Sequence, residues 1–297
     1  MRRPHLDAAA MALMVLLCAA WGLQQVAVKA ANAGISPVWQ ASLRSIGAAL
    51  LVWAWAAHKG IRLFERDGTL AAGLLAAALF AGEFAFIYWG LSYTAASRGV
   101  VFLYTAPFMI ALGAHCLLPG EQLRPLQWVG LACAFAGILA AFGESLAMPT
   151  RQQLIGDGML ILAAVLWAAT TLVIRGSRLA AISPAKTLFY QLGGSALVLP
   201  GVAVALGEPG IIALTPWVLA SLAYQTVLVA FASYLAWFWL VAHYPAGRLA
   251  AFSFLTPLFG VLAGVVLLGE PLSAQLTAAL LLVGLGIWLV NRLPRRA

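Results

Sequence analysis

The chain has 297 residues, 64% of them hydrophobic and 9% charged, at a mean hydropathy of +0.97. A water-soluble domain of this length needs far more charge to cover its surface, so the composition excludes one. The net charge of +8 collects in segments flanking apolar runs, where it reports membrane topology and not a nucleic-acid footprint.

Apolar stretches long enough to cross a bilayer recur ten times, at 8–29, 37–57, 68–91, 96–118, 124–143, 155–177, 184–206, 215–241, 246–268 and 273–291. These are numbered here as spans one to ten, and the connections between them are too short for a soluble domain. Span one resembles a secretory leader in having Arg2 and Arg3 ahead of it, but its apolar run is too long, and it is expected to be retained. It carries Trp21, Gln24 and Gln25 at i, i+3 and i+4, which share one helix face. An aromatic wall beside hydrogen-bonding groups suits a small amphipathic solute, although Gln in a membrane also joins helices together.

Span two contains Arg44 and span three contains Glu83, both at membrane depth, where ionisable groups are costly and are functional candidates. Arg44 lies seven residues below the start of span two, and Glu83 eight residues below the end of span three. At the helical rise both are roughly 10–12 Å from the same face, so they are expected to meet as an ion pair. That pair reads as a lock between spans two and three, or as a site where Glu83 takes a proton and Arg44 a substrate carboxylate. A third reading has Arg44 snorkel outward.

Phe80 and Phe84 in span three and Phe231 and Tyr234 in span eight lie deep enough to face a cavity, whereas Tyr88, Trp89 and Trp239 read as interfacial anchors. Tyr104 precedes Pro107 by one turn in span four, and Pro257 holds the matching place in span nine. Each proline lacks an N–H and leaves the carbonyl four residues earlier without a helical partner, which makes a kink or a hinge. Spans five and ten are almost free of polar groups and carry Gly130, Gly137, Gly284 and Gly286, a scaffold or a homodimer surface away from substrate. Cys18, Cys116 and Cys133 lack metal-ligand spacing, and no cofactor, metal or catalytic residue is expected.

Lys and Arg assign the sides. With both termini inside, the inner segments hold Arg2, Arg3, Lys59, Arg62, Arg66, Arg124, Arg175, Arg178, Lys186, Arg248, Arg292, Arg295 and Arg296, and the outer ones only Lys29, Arg98 and Arg151.

The second half repeats the first. Trp21, Gln24 and Gln25 match Trp167, Thr170 and Thr171 at an offset of 146, as Lys29 matches Arg175; Ser36-Pro37 matches Ser183-Pro184 at 147, and Pro107 matches Pro257 at 150. Arg44 falls opposite Gln191 and Glu83 opposite Tyr234, so both charges are missing from the second copy together. Five spans per copy set the second copy upside down in the membrane. The chain is therefore expected to divide into repeats 1–150 and 151–297, related by inversion around a central cavity.

These residues resemble a known family. Trp21-Gly22 followed by Lys29, Pro37 followed by Arg44, Tyr93-Thr94-Ala95-Ala96 leading to Pro107, and Gly120-Glu121 look like the EamA repeat; Trp167, Ser183-Pro184, Tyr244, Ala246, Pro257 and Gly269-Glu270 look like its second copy. That repeat defines the ten-helix branch of the drug/metabolite transporter superfamily, and within it the chain most resembles the YddG-type amino-acid exporters. The resemblance implies an all-α membrane protein with a cavity lined by spans one, three, four, six, eight and nine. It implies alternating-access export of amino acids or similar metabolites across a bacterial inner membrane, with lipophilic drugs as the alternative substrates. A channel is less favoured, and so is an intramembrane enzyme: no Gly-x-Ser-x-Gly elbow, paired-His site or Asp-rich motif occurs.

Overall fold

The computed structural model describes residues 5–91, 93–94, 96–146, 148–268 and 274–292. Gly269 and Glu270, of the second Gly-Glu pair, lie outside the described residues. Among the described residues the chain is helical, with one isolated bridge between Ile35 and Ile211. Among the described residues, nine helical stretches are long and apolar enough to cross a membrane. Span two, Pro37–His58, is also one unbroken helix of 22 residues. Gln40, Ser42, Arg44 and Ser45 lower its hydropathy, and all four are buried against protein.

Helix starts follow from local chemistry. Pro37, Pro125, Pro184 and Pro216 open spans two, five, seven and eight, where the missing N–H costs nothing. Asp7 accepts from Ala10 N at 2.8 Å at the start of span one, and Thr150 with Gln153 forms a capping box on span six.

Spans four and nine are each interrupted by a two-residue turn. Span four is Ala96–Leu103 followed by Ala106–Leu117, and span nine is Ala246–Phe252 followed by Leu255–Leu268. Pro107 and Pro257 stand in the turn just after each interruption, and Thr105 and Ser253 keep right-handed helical backbone there, so each span continues across it as a kinked helix. Span eight holds a feature with no sequence signal: between Pro216–Ala223 and Tyr234–His243, residues Tyr224–Ser233 form a π-helix of 10 residues.

The spans pack in matched pairs. Span three lies on spans six and seven, and span eight on one and two; span one lies on nine and span six on four; two meets seven, four meets nine and five meets ten. Exchanging corresponding spans of the two halves reproduces this pattern. Spans five and ten stand outside the others and close on each other. A Cβ on Gly286 would come within 2.5 Å of the Gly130 carbonyl oxygen, and one on Gly137 within 2.9 Å of the Ala279 oxygen. The small residues read as a possible dimer surface are thus largely occupied within the chain.

Two clasps tie the halves together. At the start of span seven, Lys186 Nζ donates to the Glu65 carbonyl at 2.7 Å and to Asp67 at 2.8 Å. The Lys186 ammonium and then the Thr69 hydroxyl hold the Asp67 carboxyl far below the usual carboxylate range. At the start of span two, the Glu208 carboxylate accepts from the backbone of Val38 at 3.0 Å and Trp39 at 3.1 Å, while Ser36 N donates to the Gly210 carbonyl at 2.9 Å.

Candidate functional site

A cavity of about 170 Å³ occupies the middle of the bundle. Its walls come from spans one, three, four, six, eight and nine. It reaches Val28, Ile87 and Leu91, the last turns of spans one and three, and ends at Trp237, Phe238 and Thr256. Aromatic rings make most of the wall. Trp21 meets Tyr234 edge-on at 6.3 Å and Trp237 at 5.7 Å; Phe80 lies 4.8 Å from Phe84 and 6.1 Å from Tyr234; Tyr104 meets Trp167 at 6.0 Å. Edge-to-face contacts of this kind hold rings rigid and leave their faces available to a solute.

Among the expected site residues, Trp21, Gln24, Phe80, Glu83, Phe84, Tyr104, Trp167, Thr170, Thr171 and Tyr234 line the cavity. The Gln25 side chain lies outside the described ones. Phe231 does not reach the cavity: it stacks edge-on against Trp55 at 6.3 Å, toward span two, because the π-helix turns its face outward. Tyr88, expected as an interfacial anchor, lines the cavity, and so do Trp237, Phe238 and Thr256. Trp237 and Phe238 follow Tyr234 at i+3 and i+4, a spacing that places them on its face once Tyr234 is known to point inward.

Several polar groups are already engaged. Trp21 Nε1 donates to Ser233 Oγ at 2.8 Å, and Thr170 and Thr171 donate to the carbonyls of Leu166 and Trp167 in their own helix. Their oxygens remain as acceptors. The Thr256 hydroxyl is buried at the interruption in span nine, beside the Tyr104 hydroxyl and the Cys18 thiol. Among the described residues, Glu83 is the one carboxylic acid in the lining, and no described Lys or Arg side chain is part of it.

The expected Arg44–Glu83 ion pair is not formed. No ion pair within 4.0 Å joins the two, and the fully buried Arg44 has its Nε, Nη1 and Nη2 without a hydrogen bond. Its guanidinium lies over the face of Phe84, 4.3 Å from the ring centroid. Glu83 lines the cavity, while the Arg44 guanidinium lies against the Phe84 ring and beside the Tyr234 hydroxyl. Complete burial also excludes snorkelling.

At the end of the bundle away from Val28 and Leu91, side chains tie the spans to one another. Arg175 pairs with Glu121 and donates to the carbonyls of Val241 and Ala242, both at 2.9 Å, while Glu121 accepts from Ala246 N at 2.8 Å. Tyr244 donates to Asp7 at 2.8 Å beside them. Near the other end, Arg98 pairs with Asp157, which also accepts from Thr94 at 2.9 Å.

Comparison with known proteins agrees with this architecture. A crystal structure with 20% sequence identity superposes with a TM-score of 0.81, covering 96% of this chain and 97% of the other, which shows the same fold. The uncharacterized transporter YvbV of Bacillus subtilis (strain 168) is 29% identical over 288 residues, 94% of this chain and 90% of the relative. A protein of Salmonella typhimurium named "Probable amino-acid metabolite efflux pump" is 28% identical over 290 residues, 93% of each chain. Its namesake in Escherichia coli (strain K12) is 27% identical over 288 residues, again 93% of each. The EamA-like transporter family is matched over residues 8–143 and again over 154–292. The chain therefore belongs to the EamA-like transporter family, and is a multi-pass membrane transporter and not an enzyme.

Proposed function

We propose that this protein is a secondary transporter exporting amino acids, aromatic or otherwise apolar, or similar small metabolites across the bacterial inner membrane by alternating access. The observation that carries the reading is the cavity: a central chamber with aromatic walls and a few polar groups. Two relatives named as amino-acid metabolite efflux pumps support the same substrate class.

Two inverted repeats, 1–150 and 151–297, supply the mechanism. The matched pairing of spans and the twofold family match support that division. With both termini cytoplasmic, as the Lys and Arg distribution favours, the cavity mouth faces outward and the Arg175–Glu121 tie seals the cytoplasmic end. Export then alternates this state with its mirror, and Glu83 is the group at which coupling to a proton is to be sought.

A second reading, export of lipophilic drugs, is favoured by the dominance of aromatic wall over polar groups. Counterflow in proteoliposomes separates the two. Vesicles are preloaded with single unlabelled amino acids, and entry of labelled phenylalanine or methionine is followed without a proton gradient. Saturable accumulation supports the amino-acid carrier; its absence in vesicles containing folded protein removes that assignment and favours drug export.

A further inference from the structure

We infer that Glu83 and Arg44 together read the α-amino-acid head group, Glu83 taking the ammonium and Arg44 the carboxylate, with the Phe84 ring as the movable partition between them. The inference rests on the amino-acid reading above.

Arg44 is the starting point. Its guanidinium is fully buried, carries five N–H donors, has no hydrogen bond of ordinary geometry, and has the Tyr234 hydroxyl as its polar neighbour in the cavity wall. A ring face over a cation offsets only part of the loss of water, so an anion reaching this position gains far more than it would elsewhere in the wall. Spans seven and eight do not provide one: Gln191, Ser195 and Gln225, on the helices packed against span two, are neutral, buried and without hydrogen bonds, and Glu83 of span three is within electrostatic reach but outside ion-pair distance. The nearest route by which an anion reaches Arg44 is the cavity, because the ring that covers the guanidinium is itself part of the cavity wall.

Glu83 is the complement. It is the neighbour of Phe84 in the chain and the one carboxylate of the lining. In an α-amino acid the ammonium and carboxylate are carried by a single carbon. A solute with its ammonium on Glu83 therefore has its carboxylate at the Phe84 ring, with Arg44 on the ring's far side. Rotation of the Phe84 side chain exposes the guanidinium, and the apolar substituent stays among Trp21, Phe80, Tyr104, Trp167 and Tyr234. An amine without a carboxylate satisfies Glu83 but leaves Arg44 alone, so it binds without triggering closure.

The test uses three solutes with one ring: phenylalanine, phenethylamine, which lacks the carboxylate, and 3-phenylpropionate, which lacks the ammonium. Binding is read as a thermal shift of the purified protein and transport as counterflow. Wild type is expected to bind phenylalanine and phenethylamine but to move only phenylalanine. Arg44→Gln, which takes the residue of the second repeat, is expected to lose phenylalanine counterflow at least about tenfold, the scale of one charged hydrogen bond, while keeping its shift with phenethylamine. Glu83→Gln should lose the phenethylamine shift. Equal wild-type counterflow of phenylalanine and phenethylamine overturns the inference while leaving amino-acid transport standing, and needs no variant to fold. So does an Arg44→Gln variant that keeps wild-type phenylalanine counterflow or loses the phenethylamine shift as well. Failure of wild type to move any amino acid removes the amino-acid reading itself, and this inference with it.

Discussion

Arg175 and Glu121 meet where four spans converge. The guanidinium reaches two carbonyls at the end of span eight, and the carboxylate caps the first N–H of span nine. Span six and the turn after span four are joined to them through the ion pair. Each partner of this buried pair leaves the other uncompensated when removed, at a cost of about 3–5 kcal/mol. Glu121→Ala is expected to lower the thermal midpoint of the purified protein markedly. Glu121→Gln, which retains an acceptor for Ala246, should lower it less. Equal loss in the two variants would show that the backbone cap contributes nothing.

The seam between spans five and ten makes a sharper structural prediction because it contains its own control. Gly286→Ala forces a methyl group against the Gly130 carbonyl, whereas a Cβ on Gly284 meets nothing within 4 Å. Overpacking costs about 1–3 kcal/mol, so Gly286→Ala should destabilise the fold. Gly284→Ala should leave it unchanged or slightly improved, as alanine is the better helix former. Thermal unfolding of the two variants side by side decides the matter.

Asp67 gives a pH dependence. Its carboxyl is held far below the ordinary range by Lys186 and Thr69 in the folded chain. The charged form therefore contributes stability at neutral pH, which is lost as pH falls below the ordinary carboxylate value of about 4. Wild type should melt above Asp67→Asn at pH 7, with the gap narrowing at the acid end. A gap that widens on acidification would contradict the assignment.

The breaks in spans four and nine are proposed to move. Alanine fits the first turn of a helix as well as proline does, so Pro107→Ala and Pro257→Ala should fold with little change in thermal midpoint. If the breaks act as hinges, counterflow should fall several-fold in either variant. Unchanged counterflow would mark both breaks as static.

Much of this architecture was legible in the chain because a bilayer demands long apolar helices and penalises every exception. Span positions, the exclusion of spans five and ten from the cavity, and the Trp21/Trp167 faces all follow from that demand. What was not legible is rotation. Counting residues from a membrane face gave the depth of Arg44 and Glu83, but the direction in which each side chain points depends on how spans two, three, seven and eight pack. The π-helix at Tyr224–Ser233 is the clearest case. No residue type marks its wider turn, yet it sends Phe231 to Trp55 and the next turn, with Tyr234, Trp237 and Phe238, into the cavity.

The two clasps have a mechanical consequence. Span two is gripped at its start by the loop after span seven, through Glu208 and Gly210, and span seven by the loop after span two, through Asp67 and Glu65. Each half of the chain thus holds the first turn of a helix belonging to the other, at opposite ends of the molecule. Spans two and seven behave as a pair of crossed struts pinned at both ends. Large displacements are left to the elements outside this frame, above all spans four and nine, which are already interrupted before Pro107 and Pro257.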